Sequence, residues 1–285
     1  MAAELQRGGA VVALETSIVA QGLPKPHNLR AAVGSDEAVR KAGAVPAAVA
    51  VLEGQLRIGL LPEELEALAA GGAEKVSSRD LGPALARGIA GATTVAATAR
   101  AADLAGIRFL ATGGIGGVHR GHPDDQSADL EELARSRVAV FCAGAKLVLD
   151  LGQTLERLES LSVPVIGYGC DEFPAFYLAR SGLPLRARAD SPEELNAMLG
   201  AAWATGSRGV VVAIPPPEEL KGAERLVRQA VKEVGEAGGP ELTPRLLAWI
   251  AQMSRGRSLE VNVRLAVNNA SVAGRCAAAW ARPQP

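Results

Sequence analysis

Short apolar runs, at residues 10–14, 47–52, 109–111, 138–145, 163–168 and 209–214, punctuate this chain, and most are followed by a longer segment with helical spacing. Runs so short and so apolar are strands buried on both faces, which is how a parallel sheet covered by helices looks in sequence. Helices are predicted at 29–42, with Asn28 as N-cap and Gly43 as stop, and at 62–70, 91–105, 130–136, 174–180, 192–205, 218–237, 243–253 and 258–281. Two apolar runs flanking Glu53-Gly54 read as a hairpin, so the sheet is expected to be mixed. The expected fold is α/β, a layered α/β/α arrangement around a central mixed, largely parallel sheet. Residues 1–285 read as one domain, with a helical C-terminal part from about residue 217, after Pro215-Pro216-Pro217.

Composition narrows the function. Hydrophobic residues make up 48% of the 285 residues but aromatics only 3%, so the core must be built from Ala, Val, Leu and Ile. Thirty Lys and Arg against 31 Asp and Glu give a net charge of -1, which argues against a nucleic-acid or membrane-surface partner and leaves a small molecule. Cys142, Cys170 and Cys276 are far apart with no CxxC spacing, which fits a reducing cytoplasm rather than a disulfide framework or a cysteine zinc site. The N-terminus lacks the basic-then-apolar pattern of a secretory leader, and no apolar stretch reaches the roughly 20 residues a membrane helix needs.

One stretch, residues 111–150, carries most of the chemistry. Gly113, Gly114, Gly116 and Gly117 crowd a turn just after an apolar run, and His119, Arg120 and Asp125 follow closely. Such glycines serve either a tight connection or close approach of backbone to a ligand, and the neighbouring polar residues favour the ligand. Lys146 ends the apolar run Val138 to Ala145. It is either a paired structural cation or an amine in a partly desolvated pocket, where a lowered pKa would make it a nucleophile. Ser127 reads as the N-cap of the next helix and Asp129 as a complement to its dipole. Asp124 and Asp125 beside His119 and His122 admit a divalent metal, and carboxylate with water suits Mg or Mn.

Three upstream segments add to this. Glu15 follows the first strand, where a carboxylate is either a helix cap or a catalytic group, since open α/β sheets gather their sites at strand carboxyl ends. Lys75, Ser77, Ser78 and Arg79 form either an anion site or a solvated loop that leads into a capped helix. The Ala-rich segment 91–105 opens with small residues that let its amino end face a ligand.

The segments VVALETSIVAQGLPKPHN, KVSSRDL, GATTVAATA, FLATGGIGGVHRG, DQSADLEELA, VAVFCAGAKLVLD, VIGYGCDEFPAFY and SLEVNVRLAVNNA occur in this order over nearly the whole chain. In them the chain resembles the pseudouridine-5'-phosphate glycosidases, also called the indigoidine synthase A-like family. The resemblance implies reversible cleavage of the carbon–carbon glycosidic bond of pseudouridine 5'-phosphate to uracil and ribose 5-phosphate. It implies Lys146 as a Schiff-base nucleophile and Glu15 as proton donor. Lys75, Val95, Ser127, Ala128 and Asp129 would contact substrate, and Asp125 would hold a divalent metal, typically Mn2+. Thr112, His119, Asn268 and Asn269 stand in motifs that also line the family's pocket, and a homotrimer is the implied assembly. The loop between His119 and Asp125 is two residues shorter than the family's usual one. A Schiff-base aldolase acting on another sugar phosphate, and a non-catalytic sugar-phosphate binder, are the competing readings of the same residues.

Overall fold

The computed structural model describes residues 9–234 and 242–281. Its strands are β1 (Val11–Leu14), β2 (Val45–Leu52), β3 (Gln55–Ile58), β4 (Glu74–Val76), β5 (Gly91–Thr93), β6 (Phe109–Ala111), β7 (Val118–His119), β8 (His122–Gln126), β9 (Ala139–Cys142), β10 (Leu149–Asp150), β11 (Val165–Tyr168), β12 (Ala187–Ala189) and β13 (Val210–Ala213). The α-helices are α1 (His27–Lys41), α2 (Pro62–Ala70), α3 (Leu81–Arg87), α4 (Val95–Leu104), α5 (Ala128–Leu133), α6 (Leu151–Ser160), α7 (Pro192–Ala204), α8 (Ala223–Val234), α9 (Leu242–Met253) and α10 (Arg257–Trp280).

The main sheet runs β12-β11-β13-β9-β6-β1-β2-β5-β4, with β3 paired to β2. From β12 to β2 every pairing is parallel, whereas β2–β5 and β2–β3 are antiparallel, so the sheet is mixed and largely parallel as expected. Alternate residues of β1 serve opposite faces: Val11 and Ala13 join one apolar cluster, Val12 and Leu14 the other. The same alternation holds in β9 and β13, which explains why these strands are apolar without a break. One face is covered by α1, α7 and α10, the other chiefly by α4, α5, α6, α8 and α9. The few aromatic residues are not scattered. Phe109 stacks within 5.9–6.5 Å of Phe141, Trp203 and Trp280, which fills one side of the sheet where Ala and Val alone would leave gaps.

Several local expectations need correction. Residues 174–180 form no helix; Phe176 takes a left-handed backbone with φ 61°, and its N–H is spent on Ala143 O at 2.8 Å. The segment 91–105 is divided, because Gly91–Thr93 pairs with β2 and β4 before Thr94 caps α4. Asn28 lies inside α1 rather than capping it, and its side-chain amide donates to Val19 O at 2.9 Å and Ala69 O at 3.2 Å. The helix expected at 218–237 begins only at Ala223, and its final residues 235–237 lie outside the described residues. The hairpin expected around Glu53-Gly54 forms, with both residues at positive φ (51° and 71°), the geometry of a type I′ turn. Among the described residues, no helix is long and apolar enough to cross a membrane.

Candidate active site

The chain leaves β1 for β2 on one side, while β6 lies against β1 on the other. Such a reversal opens a crevice at the carboxyl ends of the two strands, where open α/β sheets place their ligands. Glu15 follows β1 there, and Thr112 follows β6. The Glu15 carboxylate accepts one hydroxyl on each oxygen, from Ser17 Oγ and from Thr112 Oγ1. A hydroxyl both donates and accepts, so this pair can hold the group whether or not it carries a proton. Beneath it, Thr16 is fully buried and donates from Oγ1 to Val49 O at 2.6 Å, which anchors the backbone that carries Glu15. Ser17 was not among the expected site residues; it reaches Glu15 because the backbone turns into a helical conformation at Ser17, φ −63° and ψ −30°.

Asp129 lies in the first turn of α5, where its charge complements the helix dipole as expected, and it has further partners. Its carboxylate, on a residue only 6% exposed, accepts Ala96 N at 2.9 Å and Gly116 N at 2.8 Å. One buried side chain thus caps the amino end of α4 and pins the glycine turn. Ser127 caps α5 as expected, accepting Asp129 N at 3.2 Å. The glycines of the turn are needed for close approach, but protein side chains make the approach: a Cβ on Gly116 would lie 2.2 Å from Ser127 Oγ, and one on Gly117 would lie 2.3 Å from Thr154 Oγ1. Thr154, also unanticipated, accepts Val118 N at 3.0 Å. Replacing Asp129 by Ala would orphan two backbone amides, and the expected loss is roughly 2–4 kcal/mol of stability by urea denaturation. A loss under about 1 kcal/mol would mean that the amides find other partners.

Lys146 leaves β9 through the loop Ala143-Gly144-Ala145, four residues beyond Cys142. The loop is joined to the glycine turn by Ala143 N to Gly113 O at 2.9 Å and Lys146 N to Ile115 O at 3.3 Å. The Lys146 side chain is half-buried, and among the described residues it makes no ion pair or hydrogen bond. Cys142 is fully buried, and burial pushes its thiol up to about 12, so it stays neutral and unreactive beside the lysine loop at ordinary pH. Lys146 is the one side chain in residues 143–146 that carries a basic nitrogen.

The remaining candidates lie on several elements. Thr112 is buried, and Asn269, on α10, donates to Thr112 O at 2.8 Å; Asn268 beside it is half-buried. Val95 is the first residue of α4, and exposed Lys75 lies on β4, which ends beside Thr93 and Thr94. His119 sits in the small β10-β7-β8 sheet with Nδ1 3.0 Å from Asp125 O and 3.3 Å from its carboxylate, and Nε2 3.1 Å from Thr243 Oγ1. Ala128 is exposed at the start of α5. A cavity of about 240 Å³ reaches Glu15 and Thr112 from between α1 and α2; Leu14, Ile18 and Leu65 contribute to its wall, and Lys146 lies outside it.

Residues 1–279 match the family model described as indigoidine synthase A like protein. The chain belongs to that family. A family relative from Rhodospirillum centenum, a pseudouridine-5'-phosphate glycosidase, is 53% identical over 291 residues, covering 99% of this chain and 91% of the relative. A pseudouridine-5'-phosphate glycosidase from Clostridium botulinum is 46% identical over 280 residues, covering 94% and 91%. Among solved structures, the chain is similar to an indigoidine synthase A-like protein from Thermotoga maritima, with TM-score 0.91 and 33% identity over 97% of this chain and 94% of that one. It is also similar to the prealnumycin C-glycosynthase AlnA in complex with ribulose 5-phosphate, with TM-score 0.88 and 34% identity over 98% and 94%.

Proposed function

We propose that this chain is an enzyme that reversibly cleaves the carbon–carbon glycosidic bond of pseudouridine 5'-phosphate to uracil and ribose 5-phosphate, with Lys146 as nucleophile and Glu15 as proton donor. The observation that carries the reading is the meeting of Glu15 and Thr112 at the β1–β6 crevice, while the adjacent strand β9 exits into the Lys146 loop. Relatives at 46% and 53% identity over nearly the whole chain carry the glycosidase name, and a solved relative holds a pentulose phosphate, which supports the same substrate class.

The chemistry follows from the leaving group. Carbon leaves poorly, so the two-carboxylate route used for ordinary glycosides would be slow. In the proposed sequence Glu15 gives its proton to the ring oxygen as the C1′–O4′ bond breaks, and the neutral Lys146 amine bonds to C1′. The C1′–C5 bond then breaks with its electron pair going to the pyrimidine carbon, which takes up a proton, and the lysine nitrogen completes an iminium. Water hydrolyses that iminium and frees ribose 5-phosphate and the amine. Ser17 and Thr112 hold Glu15 in place throughout.

Asp125 is the proposed position for a divalent metal, Mn2+ foremost. Its carboxylate is about one-third exposed, and among the described residues no cluster of three acidic, His or Cys side chains converges. That donor set fits a hard cation that keeps most of its shell as water. When bound, the ion would supply polarisation through that water. Lys75, Val95, Ser127, Ala128, Asp129, His119, Asn268 and Asn269 complete the proposed substrate surround. We further propose a homotrimer, to be checked by light scattering, that works in the cytoplasm. The reading is tested by incubating the protein with pseudouridine 5'-phosphate and Mn2+ and following uracil by chromatography. Uracil release is expected; cleavage of another phosphorylated sugar without uracil release would make the protein an aldolase instead.

A further inference from the structure

The segment Phe173-Pro174-Ala175-Phe176-Tyr177 has no role in the reading above, yet it lies against both loops of the site. Phe176 is 1% exposed, and its backbone N–H donates to Ala143 O at 2.8 Å, in the loop that leads to Lys146. Gly144 in that loop forms an antiparallel bridge with Ala175, and a Cβ on Gly144 would fall 1.9 Å from Pro174 O. On the other side, a Cβ on Gly114 would lie 2.6 and 2.8 Å from two carbons of the Phe176 ring. The Phe176 ring therefore fills the space at Gly114, and the Pro174 carbonyl fills the space at Gly144. The segment is packed from outside as well: Tyr177 is 2% exposed, and its ring lies 4.7 Å from that of Phe176.

Phe176 holds this place in a left-handed backbone conformation, φ 61°. A bulky side chain with that backbone is strained, and such strain persists only where the surroundings over-determine it, which happens chiefly at functional sites. The geometry points to Phe176 as a positioning residue for Lys146: its ring packs on Gly114 of the glycine turn while its backbone N–H holds Ala143 O of the lysine loop, so it braces the two hydrogen-bonded loops from one side and fixes where the amine stands. The inference rests on the proposed role of Lys146. It also gives a physical reason for glycine at 114 and 144, where a side chain would displace the Phe176 ring or the Pro174 backbone that leads to it.

Phe176→Ala is expected to slow uracil release and borohydride trapping of ribose 5-phosphate by roughly 100-fold, the penalty for a misplaced reacting group, with KM changed less than about threefold. Gly114→Ala is expected to show a similar loss. Because both changes act on one contact, the double variant should be no slower than Phe176→Ala alone within about threefold. Phe176→Leu, which keeps apolar bulk in the slot, should recover part of the rate, and it carries the comparison with wild type if the Ala variant does not fold. A remote core variant, Leu199→Ala, should lower Tm while the rate at 25 °C stays within about threefold of wild type. The inference falls if the Phe176 variants match wild type, if the two single losses multiply, or if Leu199→Ala loses rate as Phe176→Ala does. A wild-type protein that traps no sugar and releases no uracil removes the role of Lys146 and this inference with it, whereas a trapping wild type matched by its Phe176 variants removes this inference alone.

Discussion

Lys146→Ala is expected to lower turnover of pseudouridine 5'-phosphate by at least about 10⁴-fold, since it deletes the atom that bonds to C1′. No nearby thiol substitutes for it: burial holds Cys142 protonated, and that residue is fully enclosed. Lys146→Arg should fare no better, because a guanidinium stays charged and offers no lone pair. Both variants should fold normally, as the Lys146 side chain makes no hydrogen bond or ion pair among the described residues. Steady-state kinetics beside a thermal melt checks the pair. Activity of either variant within about tenfold of wild type would remove the lysine from the chemistry.

Glu15→Gln is the second large effect, with an expected loss of about 10²- to 10⁴-fold in kcat, the usual range for a positioned general acid. The glutamine is expected to keep its place, because its amide can accept from Thr112 and donate to Ser17 once that hydroxyl turns. A Glu15→Gln enzyme with wild-type kcat would assign the acid elsewhere.

Much of this was legible in the chain because parallel strands buried on both faces have no polar alternation to confuse them. β1, β9 and β13 stand within the apolar runs that announced them, and the Glu53-Gly54 hairpin followed from turn chemistry. What stayed hidden depended on tertiary partners. β8 has the sequence His-Pro-Asp-Asp-Gln, which carries no strand propensity and is extended because it pairs with β7. β12, three residues with an exposed Arg188, is an edge strand of the kind that sequence conceals. Phe176 reads as a helical residue until Ala143 and Gly114 are placed beside it.

At the site, Glu15 and Lys146 stood out because charged groups at the ends of apolar strands demand a reason. Ser17, Thr154 and Phe176 did not, since hydroxyls and phenylalanines are ordinary anywhere. The glycines of 113–117 were visible but their purpose was not. Their missing side chains make room for Ser127, Thr154 and Phe176, and no spacing rule reveals which neighbour fills a gap.

A covalent bond between Lys146 and the sugar is the central step of the proposed chemistry, and borohydride reduction in the presence of ribose 5-phosphate followed by peptide mass spectrometry tests it directly. The expected result is one reduced pentose phosphate per chain, on the peptide that contains Lys146 and absent from Lys146→Ala. An adduct on a different lysine, or uracil release from pseudouridine 5'-phosphate with no trappable adduct at all, would contradict it.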